Sequence, residues 1–347
     1  MSQKEYYAVA TFKEKNVPEI IYIERKRFNS DDFLEAYKSD NPSFYWQSFP
    51  FPLFIQLNHP EMAINDVIRI LKEVKKFDEE KYNSFHKGNP YYWLGTSFFL
   101  LGDFQTATFF MSAAVREDLN RGLENTPATK FIELRGEEDL QASRSLVEYA
   151  QNKLEEQINI YNEFINFNSE KATYEYMVED IRVMFLEKST NINSPQLQSL
   201  ATAFISFILE FNSKTDLLNL VKNPTSKEPF LLHLFKGCLL LESLLKENPT
   251  KPQKEPRKTL GSIYQALHKE LFIKPNLKIN TTDFNDILDL LKNFDNTLNM
   301  AFQIAGMIRN TVGHSLGWEI DLNSDIYKKQ FDIIMNCCLH SIFSLYK

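Results

Sequence analysis

Residues 91–118, YYWLGTSFFLLGDFQTATFFMSAAVRED, read as two helices folded back on each other. Tyr91, Leu94, Gly95 and Phe98 recur at the three- and four-residue spacing that gathers side chains on one helical face. Gly102, Asp103 and Phe104 make the turn. Ala107, Phe110, Met111 and Ala114 repeat the spacing on a second helix. The small residues Gly95, Ala107 and Ala114 let the two helices approach closely. Such a pair cannot bury its own apolar face and must pack on neighbouring helices, so the reading commits the chain to a mainly α fold.

The flanks supply those neighbours. Upstream, HPEMAINDVIRILKEVKKF (59–77) has a proline near its start and apolar residues at helical spacing. NPSFYWQSFPFPLF (41–54) is aromatic and proline-rich, a packed irregular segment rather than a linker. EYYAVATFKEKNVPEIIYIERKRF (5–28) holds two short β-rich runs around a polar turn, which predicts a small β-hairpin. Downstream, LNRGLENTPATKFIELR (119–135) is turn-rich, and helices follow over about 138–166 and 170–187. STNINSP (189–195) has one large apolar residue and ends in proline, so it is taken as the boundary between an N-terminal region, 1–190, and a C-terminal bundle, 196–347. The bundle opens with the strongly apolar PQLQSLATAFISFILEFN and PFLLHLFKGCLLLESLLKEN. Helices at about 260–272, 282–296, 297–313 and 325–346 complete it.

The hairpin at 91–118 resembles a single tetratricopeptide-type (TPR) unit, over about 30 residues and with no second copy at that period. The resemblance implies an interaction region, with a protein partner or inhibitor recognised by the N-terminal half. The plainer alternative is an antiparallel helix pair inside a larger helical domain.

Bulk properties narrow the function. At 347 residues and 43% hydrophobic, the chain is long enough for two domains with real cores. A net charge of −7 leaves no global basic field for nucleic acid, so any such contact must be local. Three cysteines without a CxxC pair argue against a disulfide framework or zinc site and fit a reducing cytoplasm. No signal-peptide pattern opens the sequence, and no apolar run reaches the ~18 residues of a membrane span. GxGxxG, Walker, HExxH and Ser-His-Asp signatures are all lacking, and no cofactor is expected.

One stretch spends glycine freely. GMIRNTVGHSLGW (306–318) holds three of the chain's ten glycines around one arginine and one histidine. On a helix over 297–317, Ala301, Ile304, Ala305, Ile308 and Val312 form an apolar stripe facing the bundle core. Gln303, Gly306, Asn310, Gly313, His314 and Gly317 form a small, polar face where another backbone or a ligand can come close. Glycine inside a helix costs about 1 kcal/mol against alanine, so these glycines have a use other than stability. Asn310 and His314 share a face, four residues apart. Arg309 and His314 diverge by about 140° on an ideal helix. The length of arginine, a break at Gly313 or a second copy of the motif would be needed to unite them.

RNTVGH on a late helix of an all-α bundle resembles the Arg-x4–6-His motif of HEPN domains, with a polar residue after the arginine. LFKGCLLLESLLK, with Glu242 in its middle, also has the look of a HEPN helix. The resemblance covers roughly 196–347. It implies a metal-independent endoribonuclease, of a bacterial defence or toxin type, working as a homodimer joined through the 297–317 helix. Arg309 and His314 would be catalytic, with Asn310 assisting and a 2′,3′-cyclic phosphate as product. The residue types suit the chemistry. Histidine serves as acid or base near neutral pH, and arginine offers a planar donor fork to phosphate. The competing reading is a non-catalytic interaction module whose HEPN-like bundle is inactive. In that case His314 only meets terminal helix carbonyls and Arg309 is solvated. Lys251, Lys254, Arg257 and Lys258 in KPQKEPRK are candidates for RNA phosphates, or else a solvated loop. His59, His86, His233 and His340 show no ligand spacing and read as structural, and Cys337-Cys338 reads as packing.

Overall fold

The computed structural model describes residues 4–12, 18–39, 44–47, 50–136, 141–168, 174–221, 226–253, 259–281, 283–314 and 322–347. The protein is mainly α, with one two-stranded antiparallel sheet among the described residues. Among the described residues no helix is long and apolar enough to cross a membrane. The chain divides into two compact units, residues 1–131 and 132–347.

The first unit opens with strands β1 (Tyr6–Phe12) and β2 (Pro18–Glu24), paired so that Val9 faces Ile21. Val9 and Ile23, on the inner face, pack on Phe54 and Ala63. Helices α1 (Ser30–Lys38), α2 (Phe44–Gln47), α3 (Phe51–Gln56), α4 (Pro60–Phe77), α5 (Glu79–Ser84), α6 (Gly88–Leu100), α7 (Phe104–Leu119) and α8 (Pro127–Ile132) follow. Ala63, Val67, Ile70, Leu71 and Val74 of α4 are buried, as their helical spacing requires. Among them sits the fully buried Asp66, which accepts hydrogen bonds from Tyr7 Oη (3.0 Å), Arg25 Nε (3.1 Å) and Arg69 Nη2 (3.1 Å). This network fastens the hairpin to α4, and burial together with Asp66 raises the Tyr7 hydroxyl to about 12.

The aromatic segment is packed, as expected, but its described residues form the short helices α2 and α3 rather than irregular chain. Trp46, Phe51 and Phe54 are fully buried, and Trp46 Nε1 donates to Tyr37 Oη at 2.8 Å. The α6–α7 hairpin forms where the sequence placed it. Gly102 takes a positive φ of 76°, and the Asp103 carboxylate caps α7 at Thr106 N. A Cβ on Gly95 would lie 2.9 Å from Met111 and 3.2 Å from the Ala107 carbonyl, so the close approach is real.

The second unit comprises α9 (Gln141–Phe167), α10 (Val178–Ile181), a π-helical turn (Arg182–Leu186), α11 (Glu187–Ser189), α12 (Pro195–Leu220), α13 (Glu228–Glu247), α14 (Leu260–Leu267), α15 (Phe284–Lys292), α16 (Leu298–His314) and α17 (Ser324–Leu345). Helix α17 is the axle. It is buried on every side from Phe331 to Leu345, with Asp332 and Ser344 partly exposed, and packs on α9, α12, α13 and α16.

The division differs from the expected one at 189–195. Residues 132–190 belong with the C-terminal bundle, because α9 packs on α12 and α17 and α11 packs on α12. Thr190 Oγ1 donates to the buried Glu133 at 2.5 Å, and Lys188 Nζ donates to the Tyr346 carbonyl at 2.9 Å. STNINSP is thus an ordinary helix–helix turn within the unit.

Candidate functional site

Helix α16 carries the stripe the spacing predicts. Ala301, Ile304, Ala305 and Ile308 are fully buried, and Val312 nearly so. At Gly306 and Asn310 the small polar face is occupied by the chain itself. A Cβ on Gly306 would sit 2.7 Å from Ile279 Cγ2, so only glycine admits the segment 273–281 this closely. Asn310 Nδ2 donates to the Ile279 carbonyl at 2.8 Å, and Thr311 Oγ1 to the Thr281 carbonyl at 3.4 Å. At the other end Lys274 N donates to Asn299 Oδ1 at 2.7 Å. The glycine does mark a close approach, but by a segment about thirty residues upstream rather than by a ligand.

Arg309 turns away from that face toward α13. Its Nε donates to Glu242 Oε2 at 2.9 Å, and Lys246 Nζ donates to Glu242 Oε1 at 2.6 Å. The Glu242 side chain is 9% exposed and that of Arg309 is 32% exposed. One buried carboxylate therefore holds two cations, leaving a local charge of +1. Arg309 Nη1 also reaches Asn310 Oδ1 at 3.5 Å, and among the described residues nothing accepts from Nη2. Arg309, Asn310, Glu242 and Lys246 line an open cleft of about 1440 Å³, with the start of α14 and residues 275–281 on its other walls. That exceeds the 300–1,000 Å³ of ordinary small-molecule pockets, so it suits an extended ligand. Its charged lining balances: Lys246, Lys278 and Arg309 face Glu242, Asp283 and Asp286. Asp283 is spent capping α15 at Asn285 N, and Asp286 accepts from Thr281 Oγ1 at 2.6 Å.

Helix α16 runs unbroken through Gly313 to His314, so no kink draws His314 toward Arg309. The backbone keeps them about 140° apart. The His314 side chain and residues 315–317 lie outside the described residues. So do Lys254, Arg257 and Lys258. Lys251 is engaged in the fold, donating to the Ala266 carbonyl at 2.7 Å and to Glu270 at 3.2 Å, which removes it from a free basic patch. The 297–317 helix, expected to join two copies, is buried within its own chain along 301–308 save for the partly exposed Gln303. Among the described residues near its end, Arg309 and Asn310 are partly exposed and Gly313 is exposed. Lys246 was missed in the sequence, although its i,i+4 spacing from Glu242 was a usable signal.

The four histidines read as structural all have fold partners. His233 Nε2 donates to the Phe207 carbonyl and its Nδ1 accepts from Tyr327 Oη. His340 repeats the pattern with the Leu271 carbonyl and Tyr161 Oη. His86 meets Asp118 at 2.7 Å, and His59 meets Glu61 and the Ala10 carbonyl. Cys238, Cys337 and Cys338 are buried free thiols whose burial pushes them well above the usual thiol range. Comparison with protein-family models, with curated proteins and with solved structures finds no match for this chain.

Proposed function

We propose that the chain is an endoribonuclease of HEPN type, acting without a metal and as a homodimer. The observation that carries the reading is the Glu242–Arg309 pair, which joins two helices of an all-α bundle and presents the remaining guanidinium donors to an open cleft. Arg309 binds the scissile phosphate and offsets the charge that grows on it. Asn310 lies beside it, its carbonyl near Arg309. His314 supplies the acid or base for the ribose 2′-OH or the leaving 5′-oxygen. Since α16 keeps Arg309 and His314 on different sides, the histidine that meets a given arginine comes from a second copy, through a contact at the Gly313 end of the helix rather than along its length. A role in defence or as a toxin, with the first unit recognising a trigger or inhibitor, belongs to the same proposal, as does a cytoplasmic setting.

The balanced charge of the cleft favours a second reading, a non-catalytic interaction module that uses the same bundle. RNA cleavage in the presence of EDTA separates them. Wild type should cut, and His314→Ala and Arg309→Ala should each lose about 10²-fold or more, the usual worth of an acid–base or oxyanion group. Arg309→Ala also breaks a largely buried ion pair and should cost about 1–3 kcal/mol of stability, so His314→Ala, checked for an unchanged melt, is the cleaner variant. Equal cutting by wild type and His314→Ala would place the activity elsewhere. No cutting by any of them would favour the interaction module.

A further inference from the structure

The β-hairpin has two apolar faces, and α3 and α4 cover one. The outward residues of β1 are Tyr6, Ala8, Ala10 and Phe12, and those of β2 are Pro18, Ile20, Tyr22 and Glu24, all exposed but Glu24, which is half-buried at the end of the strand. Tyr6 is 53% exposed, Phe12 70%, Ile20 60% and Tyr22 71%. A solvated outer face normally carries polar side chains. The register gives this face a definite shape. Tyr22 stands beside Ala8, and Ile20 beside Ala10. Strand β2 is therefore a ridge of large side chains, and the middle of β1 is a furrow of two alanines closed at its ends by Tyr6 and Phe12.

The geometry points to a second copy of this chain as the occupant of that face. A two-fold axis parallel to the strands, midway between two stacked hairpins, carries β2 of one copy over β1 of the other and keeps the residues level. Tyr22 then lands on Ala8 of the second copy and Ile20 on Ala10, twice over. An isologous interface needs this self-complementarity. At one end of the furrow Tyr6 faces Glu24 of the second copy, a carboxylate to accept from its hydroxyl. Lys4, 3.0 Å from Glu24 in its own chain, keeps that carboxylate neutralised. Facing sheets sit about 10 Å apart, the distance at which such side chains interdigitate. Large side chains of 150–250 Å² each, more than half exposed, offer roughly 400–500 Å² a face. With the alanines, Pro18 and backbone this nears the ~600 Å² per partner at the lower end of specific interfaces. The hairpin dimer does not depend on the nuclease reading.

The test is the mass of the full chain by sedimentation or light scattering across a dilution series. Wild type should self-associate through the hairpin in a step that dissociates on dilution and that adds to any dimer formed at the Gly313 end of α16. Ala8→Lys, on an exposed face, should leave the circular dichroism unchanged and weaken the dimer at least about tenfold. Tyr22→Ala empties the ridge and Ala8→Tyr fills the furrow, so each alone should weaken it. The double variant Ala8→Tyr/Tyr22→Ala exchanges ridge and furrow and should recover most of the loss. A wild type that stays monomeric at roughly 100 μM, where even a weak specific dimer forms, overturns the proposal. So does a dimer indifferent to Ala8→Lys, or a double variant no better than the worse single.

Discussion

Lowering the pH from 6.5 to 4 should strip the second unit of about 3 kcal/mol of stability, the net of three buried groups. Burial pushes His233 and His340 down to about 4, because neither imidazole can take a proton without losing the acceptor role of its Nδ1 toward a tyrosine hydroxyl. In the unfolded chain each binds a proton near 6.5. Below that pH the unfolded state holds more protons than the folded one, so stability falls as pH falls, and the loss is complete near 4. At 1.36 kcal/mol per unit, each histidine accounts for about 3 kcal/mol. Asp332 works the other way. Burial raises its carboxyl to about 6 from the ordinary 3.8, so the folded state takes up a proton first and gains about 3 kcal/mol over the same window. Urea unfolding at pH 7, 5.5 and 4 reads the sum. A midpoint that stays constant with pH would show that the histidines are not held neutral, and Asp332→Asn should deepen the acid loss.

Gly237→Ala should destabilise the second unit by about 1–3 kcal/mol even though alanine is the better helix former, because overpacking a filled core outweighs the ~1 kcal/mol of propensity. A Cβ there would fall 2.6 Å from Phe207 Cε2 and 2.9 Å from Ile334 Cγ2. Phe207 cannot swing aside. It is fully buried, with its ring against His233 at 4.6 Å and Phe331 at 4.8 Å. A domain of this size should lose roughly 2–4 °C of melting temperature per kcal/mol. Gly313→Ala is the control. Its Cβ would meet Phe235 at an ordinary 3.4 Å, so that variant should melt at or above wild type. Equal melts for Gly237→Ala and wild type would mean that α12 and α13 can separate freely.

Local pattern made much of this molecule readable. The α6–α7 hairpin, the hairpin strands and the buried stripe of α16 follow from spacing and turn residues, which act over a few positions. Long-range events were not readable. Gly306 announced a close approach but not that Ile279 makes it. Glu242 lies 67 positions before Arg309, and nothing local says that its carboxylate will hold that guanidinium. The turn at 189–195 has the composition of a linker, yet Thr190 and Lys188 are tied to Glu133 and Tyr346, so polarity misled where tertiary bonds decided. The β-rich composition of residues 6–12 pointed to a strand, and only the burial of one face shows that the exposed second face is apolar too.

The central position of α17 has a consequence for the order of biosynthesis. It is the last helix of its unit to leave the ribosome, and α9, α12, α13 and α16 all pack against it. Until it emerges, those helices have no common surface to close on, although the first unit, made earlier, can already fold. The cleft wall formed by Glu242 and Arg309 is therefore incomplete throughout translation of the motif itself. The bundle around the cleft therefore reaches its final packing only once α17 has been made and has docked.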